Sequence, residues 1–138
     1  MAKMTNLERR IARWNSFPAQ IQAAVESQLK IEVENMVTAI KRAAPVSDFE
    51  KRPGELRDSI TAYPAQGRPG AWRIIVKAQD SKGRYYGSYV EFGHNTPDGT
   101  RVPADPFFWP TYRARKRGLR ARILRPARKL IREMFPRG

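Results

Sequence analysis

Cysteine is absent, histidine occurs once, and acids are scarce: thirteen Asp and Glu stand against twenty-seven Lys and Arg. Without cysteine, disulfides and thiolate metal sites are excluded and no redox compartment is implied. The single histidine, His94, has no recognisable partner at the spacing a metal site or general base requires. No apolar run approaches the roughly 20 residues of a membrane span. The stretch Met1 to Trp14 carries Lys3, Arg9, Arg10 and Arg13 and lacks the continuous apolar core of a signal peptide. Synthesis and use in the cytoplasm of the producer cell, with no membrane partner, is the expectation. Phosphate cradles of the G-x-x-x-x-G-K-[ST] or G-x-G-x-x-G type are also missing. Gly67-Arg68-Pro69-Gly70 reads as a turn, because its proline removes a backbone donor that a cradle would use.

What is present is basic charge in one place. The chain has 138 residues, is 41% hydrophobic and carries a formal net charge of +14. That length and apolar content suit one domain over residues 1–138, with a modest core. From Arg113 onward there are eleven Lys and Arg against the single acid Glu133. A block of this kind is a contact for phosphates, a contact for an acidic protein surface, or a solvated helix face.

The periodicity predicts an α+β fold. Residues 1–15 form an arm in which Leu7, Ile11 and Trp14 fall on one side of a short amphipathic helix. From Pro18 to about Ala43, Ile21, Val25, Leu29, Val33 (or Ile31), Met36 and Ile40 recur every three or four residues. Gln22, Glu26, Lys30, Glu34 and Lys41 lie on the opposite face. The predicted helix is about 26 residues and about 39 Å long, and Pro45 ends it. Glu55 to Ile60 suits a short helical turn. Ala71 to Ala78 has the β-branched and aromatic content of a strand. Asp80-Ser81-Lys82-Gly83 suits a turn, and Tyr85 to Phe92 reads as the partner strand. Thr61 to Ala65 is a further strand weakened by Pro64, for a small antiparallel sheet of three to four strands. Gly93 to Pro106 reads as a long loop, the kind that is often functional. A last helix, basic over residues 113–138, is expected to begin near Pro106-Phe107, with Gly118 weakening it and Pro126 kinking it.

Four short signatures occur in a fixed order: Ala43-Ala44-Pro45-Val46, Gly54-Glu55-Leu56-Arg57-Asp58-Ser59-Ile60, Tyr89-Val90-Glu91-Phe92-Gly93, and Pro103-Ala104-Asp105-Pro106-Phe107-Phe108. Together they resemble the small tail-completion (head–tail joining) proteins of long-tailed phages and gene transfer agents. Those chains read A-P-V-D-T-G-x-L-R-x-S-I, then Y-x-x-x-V-E-F-G-T, then P-A-x-P-F-L-x-P-A. The resemblance spans roughly residues 20 to 135. It implies a structural virion protein that completes the tail and joins head connector to tail tube as a homo-oligomeric ring around the DNA channel. A hexamer is favoured over a dodecamer by tail symmetry. Implied partners are connector, adaptor or stopper proteins, the tail tube and, non-specifically, packaged DNA. The implied location is the head–tail junction of a virion assembled in the host cytoplasm. The chain departs from the pattern where Ser47 to Pro53 lengthens a connection, where His94-Asn95 replaces a threonine region, and at Trp109. The alternative is a basic, non-specific nucleic-acid-binding module, which accounts for the charge and leaves the ordered signatures unexplained.

No catalytic constellation emerges, and neither an enzyme activity nor a cofactor is expected. Glu91, Asp98 and Asp105 lack any D-x-D or H-E-x-x-H arrangement that would make them a metal or hydrolytic cluster. By resemblance, Glu91 anchors a loop or meets a neighbouring subunit. Arg57 pairs with Glu91, reaches a neighbour, or is an ordinary surface arginine. With these, Phe92, Gly93, His94 and Asp105 make up the expected oligomer or partner interface. Phe107, Phe108, Trp109 and Tyr112 suit core packing at the start of the last helix better than an open stacking platform for single strands. Arg115, Arg120, Arg122, Arg125 and Lys129 are the expected contacts to the DNA channel or to a partner. No sequence-reading DNA motif accompanies them.

Overall fold

The computed structural model describes residues 3–46 and 53–136. Apart from Pro53, the lengthened connection at 47–53 lies outside them. The architecture is α+β: a long N-terminal helix, two small two-stranded antiparallel sheets and a kinked C-terminal helix. Among the described residues, no helix is long and apolar enough to cross a membrane.

Helix α1 (Asn6–Asn15) is started by a capping box. The Thr5 hydroxyl accepts from the Glu8 N–H at 3.2 Å, and the Glu8 carboxylate accepts from the Thr5 N–H at 2.6 Å. It buries none of its residues. The turn after it is sewn to the next helix by Gln22, whose amide donates to the Trp14 and Phe17 carbonyls at 2.9 Å each. Helix α2 (Ala19–Ala43) follows Pro18 and stops where Ala44 is forced into an extended conformation by Pro45. Its buried residues are Ile21, Glu32, Met36 and Ile40. A glutamate therefore occupies the apolar stripe where Val33 was expected.

The core lies between the C-terminal half of α2, the one-turn helix α3 (Glu55–Asp58) and a hairpin. Met36, Ile40, Ala44, Leu56, Ile60, Ala78 and Phe107 form it, with Val37, Ile74, Val76, Tyr86, Val90, Phe108 and Tyr112 against it. Strands β1 (Ile60–Pro64) and β2 (Trp72–Val76) pair antiparallel from Ile60↔Val76 to Pro64↔Trp72. The partner of β2 is thus the segment before it, and Pro64 is accommodated at the strand end.

The segment expected as the partner strand is largely helical. The turn at Asp80 is present: its carboxylate accepts from the Lys82 and Arg84 N–H groups at 2.8 and 2.9 Å. Beyond the single bridge Gln79↔Tyr85, however, the chain coils into α4 (Gly87–Phe92). Tyr86 and Val90, four residues apart, both pack on the core, with one helical turn between them. The helix sits so close to β2 that a Cβ on Gly87 would meet Val76 Cγ1 at 3.0 Å. The long loop expected from Gly93 to Pro106 contains a second small hairpin, β3 (His94–Asn95) with β4 (Arg101–Val102).

The last helix starts later than expected and is two helices. Helix α5 (Trp109–Lys116) ends at an extended Arg117, and Gly118, with φ of 70°, opens α6 (Leu119–Met134). Pro126 lies inside α6, and the helix is bent by 39°, because the proline ring removes one backbone hydrogen bond and crowds the preceding turn. α6 packs along α2, burying Ala127.

Candidate functional site

Two of the sequence signatures meet at one carboxylate. Glu91, near the end of α4, is only 5% exposed. Its Oε2 accepts from the N–H groups of Phe107 (2.8 Å) and Phe108 (2.9 Å), and its Oε1 from that of Trp109 (2.9 Å). These are donors at the start of α5, which no nearby side chain caps. A buried anion held by three N–H groups at a helix N-terminus needs no counter-cation, since the aligned peptide dipoles supply the positive end. A fourth tie runs from the Asp105 N–H to the Val90 carbonyl at 2.8 Å. The Val-Glu-Phe-Gly and Pro-Ala-Asp-Pro-Phe-Phe segments therefore form a single clasp, which seats Phe107 in the core at 1% exposure.

Gly93 completes the clasp. It has φ of 74°, and a Cβ there would lie 2.7 Å from the Val102 carbonyl oxygen and 2.8 Å from the Ala104 nitrogen. Any side chain would both strain the backbone and push the β3–β4 hairpin away.

Around this buried carboxylate the surface is aromatic. Tyr85 and Phe92 are both 61% exposed, and Tyr89 and Trp109 are exposed as well. Tyr85, Phe92, Phe108 and Trp109 line a cleft of about 260 Å³ beside Val76 and Gly87. Trp109 makes edge-on contacts with Phe108 (centroids 5.1 Å apart) and Tyr112 (5.8 Å). Phe107, Phe108 and Tyr112 thus anchor the core, and Trp109 stands at its rim.

The other expected interface residues are placed as follows. His94 is half-buried in β3, with its ring 5.2 Å from that of Tyr89. Its buried Nδ1 has no hydrogen-bond partner among the described residues. Asp105 is exposed. Arg57 does not pair with Glu91, whose oxygens are taken by backbone donors; its Nε donates instead to Asp58 at 3.0 Å.

Of the expected basic contacts, Arg122 is diverted inward. Its Nε donates to Glu32 of α2 at 3.1 Å, and its two terminal nitrogens donate to the carbonyls of Arg117 and Arg115 at 3.0 Å each. Glu32, 6% exposed, also accepts from Gln28 at 3.2 Å. One arginine therefore ties α6 to α2 and covers the carbonyls at the end of α5. Arg115, Arg120, Arg125 and Lys129 are exposed. The signal for Glu32 was present in its spacing: it lies three residues after Leu29 and four before Met36, on the apolar stripe.

The β3–β4 turn carries the clearest titration. Asp98 accepts from the Thr96 hydroxyl, and from the Thr100 N–H at 3.0 Å. The Thr96 hydrogen bond first, then the Thr100 ones, hold its carboxyl down from 3.8 to about 2. A carboxyl depressed in the folded state stabilises its turn fully above the unfolded value and loses that contribution as pH falls through the folded one. The Thr100 amide resonance should therefore stay constant down to pH 4 and titrate with a midpoint near 2. Thr96→Val should move that midpoint upward; an unchanged midpoint would show that the hydroxyl does not set it.

Comparison with curated proteins and with solved structures gave no match. A family profile, HK97-gp10-like, described as "Bacteriophage HK97-gp10, putative tail-component", matches residues 8–93. The match runs from α1 through the Glu91 carboxylate to Gly93, well over half of the chain, and leaves α5 and α6 outside it. With so much of the fold and half of the clasp inside the match, the protein belongs to the HK97-gp10-like family of phage tail components.

Proposed function

We propose that the protein is a structural component of the virion neck that completes the tail and joins the head connector to the tail tube. In this role it assembles as a homo-oligomeric ring, favoured as a hexamer, around the DNA channel. The observation that carries the proposal is the family match over residues 8–93. The aromatic surface beside the clasp supports it: exposed Tyr and Trp at a rigid, internally braced site suit a subunit interface. Helix α1 adds a second unfilled apolar face, with Leu7 47% exposed and no buried residue. Partners are then the connector, adaptor or stopper above and the tube below. The role is mechanical, with the ring assembling in the host cytoplasm.

Ring density at the head–tail junction of purified particles tests the proposal by cryo-electron microscopy. One copy per neck, or no density there, would reject it. The interface has its own test. Phe92→Ala should leave the unfolding free energy within about 1 kcal/mol of the parent, because its side chain is 61% exposed, whereas Trp109→Ala, which removes ring contacts with Phe108 and Tyr112, should cost more than Phe92→Ala. Both should lower the yield of joined particles at least tenfold. Joining at the parental level would remove the aromatic surface from the interface.

A further inference from the structure

In an α-helix each residue turns by about 100°, so α6 has two separate faces. Ile123, Ala127, Leu130 and Met134 share one arc, and Arg125, Arg128, Lys129 and Arg132 share the opposite arc. All four cations are exposed. None forms an ion pair among the described residues; the three pairs found there use Arg57, Arg84 and Arg122. Spacings of three and four place like charges side by side, which destabilises a helix on its own. A sequence serving stability alone would interleave glutamates.

Between the cations the face presents Ala121 and no aromatic or large aliphatic anchor to fill a partner's pocket, and the exposed Ile131 lies at its edge. Contact with phosphates requires only cations, and three of the four are arginines, whose fork fits a phosphate in two-point contact. From Arg125 to Arg132 the helix rises about 10 Å, a length over which duplex DNA carries about six charges. α5 adds exposed Arg113, Arg115 and Lys116, and Arg117 after it is exposed as well.

We infer that the outward face of α6, built by Arg125, Arg128, Lys129 and Arg132, binds the phosphate backbone of duplex DNA without sequence preference. Arg122 is excluded from that face by its bond to Glu32, and Arg128 and Arg132 join it. The face lies beyond residue 93, outside the family match. The inference rests on the neck proposal only for the source of the duplex, the genome passing through the ring.

The test uses the full chain and two 24-base-pair duplexes of unrelated sequence, with binding followed by fluorescence anisotropy from 50 to 200 mM NaCl. The two affinities should agree within about twofold, because phosphate contacts carry no sequence information. Replacing all four residues by glutamine should flatten the plot of log affinity against log salt by about 3 to 4, near 0.9 for each phosphate that is no longer neutralised. Arg9→Gln, Arg10→Gln and Arg13→Gln together on α1 should leave the slope at the parental value. If circular dichroism shows the fourfold variant unfolded, Arg125→Gln with Arg132→Gln reads the same change at half size. An unchanged slope overturns the inference. So does loss of polyglutamate binding and particle joining with the DNA slope intact, which would assign the face to an acidic protein. Neck rings that persist while DNA binding is absent would overturn the DNA face alone. DNA binding by a chain missing from the neck would overturn only the proposed location.

Discussion

Glu91→Ala is expected to lower the unfolding free energy by about 3–5 kcal/mol, because it strands three donors at the start of α5 and removes a buried charge-assisted network. The carboxylate is 5% exposed, with all three hydrogen bonds between 2.8 and 2.9 Å. Water therefore cannot replace it without opening the clasp. Phe107 follows Glu91 energetically, since its backbone is held by the carboxylate while its ring fills the core. Glu91→Gln should lose less, as its carbonyl oxygen still accepts while its amide faces donors. Urea unfolding followed by circular dichroism reads the difference, with the m-value confirming an unchanged transition. A loss below about 1 kcal/mol would show that the clasp is not energetically coupled to the core. The same geometry separates Glu91 from its neighbour Phe92. Joining should fail in Glu91→Ala in step with folding, whereas in Phe92→Ala it should fail with folding intact.

The second large effect is at the tie between α2 and α6. Arg122→Met is expected to cost about 2–4 kcal/mol, because it leaves the Glu32 carboxylate buried beside an apolar side chain. The partial exposure of Arg122, at 35%, places the value toward the lower end. Glu32→Leu alone should cost less, since the guanidinium can turn to water and keeps its bonds to the Arg115 and Arg117 carbonyls. The double variant Glu32→Leu, Arg122→Met should recover much of the loss, as paired apolar residues commonly substitute for a buried ion pair. A double-mutant cycle should therefore give a coupling above about 1 kcal/mol. Additive single effects would show that α6 docks through its apolar stripe alone. Hydrogen exchange offers a local check: amides of α6 should exchange faster in Arg122→Met than those of β1 and β2, because the tie holds the helix and not the hairpin.

Much of the fold was legible because it follows from local rules. Pro18 and Pro45 bracket α2, its stripe repeats every three or four residues, and Asp80 to Gly83 form a turn through a side chain that bonds its own backbone. What misled was the stretch from Tyr85 to Phe92. Its aromatic and small side chains satisfy a period of two and a spacing of four about equally. Pairing of β2 with β1 and the near approach of Gly87 to Val76 decide for the helix. Neither of those is a property of the stretch itself. The break between α5 and α6 lay between the two: Gly118 was visible, but a full interruption needs the extended Arg117 before it and an arginine reaching back to cover the freed carbonyls.

The candidate site divides along the same line. Order, charge and periodicity are readable without knowing neighbours, and they locate the family signatures, the excess positive charge at the C-terminal end and the α+β class. What individual charges do depends on which distant segments pack against them. Glu32 and Arg122 lie 90 residues apart, and nothing local distinguishes them from solvated helix residues until α6 lies along α2. Glu91 was expected to anchor a loop or meet a neighbouring subunit, with Arg57 as one candidate partner, and it caps a helix that begins 18 residues later. A charged side chain is assigned by whichever donors or acceptors reach it at burial, and long-range packing alone brings those groups within hydrogen-bonding distance.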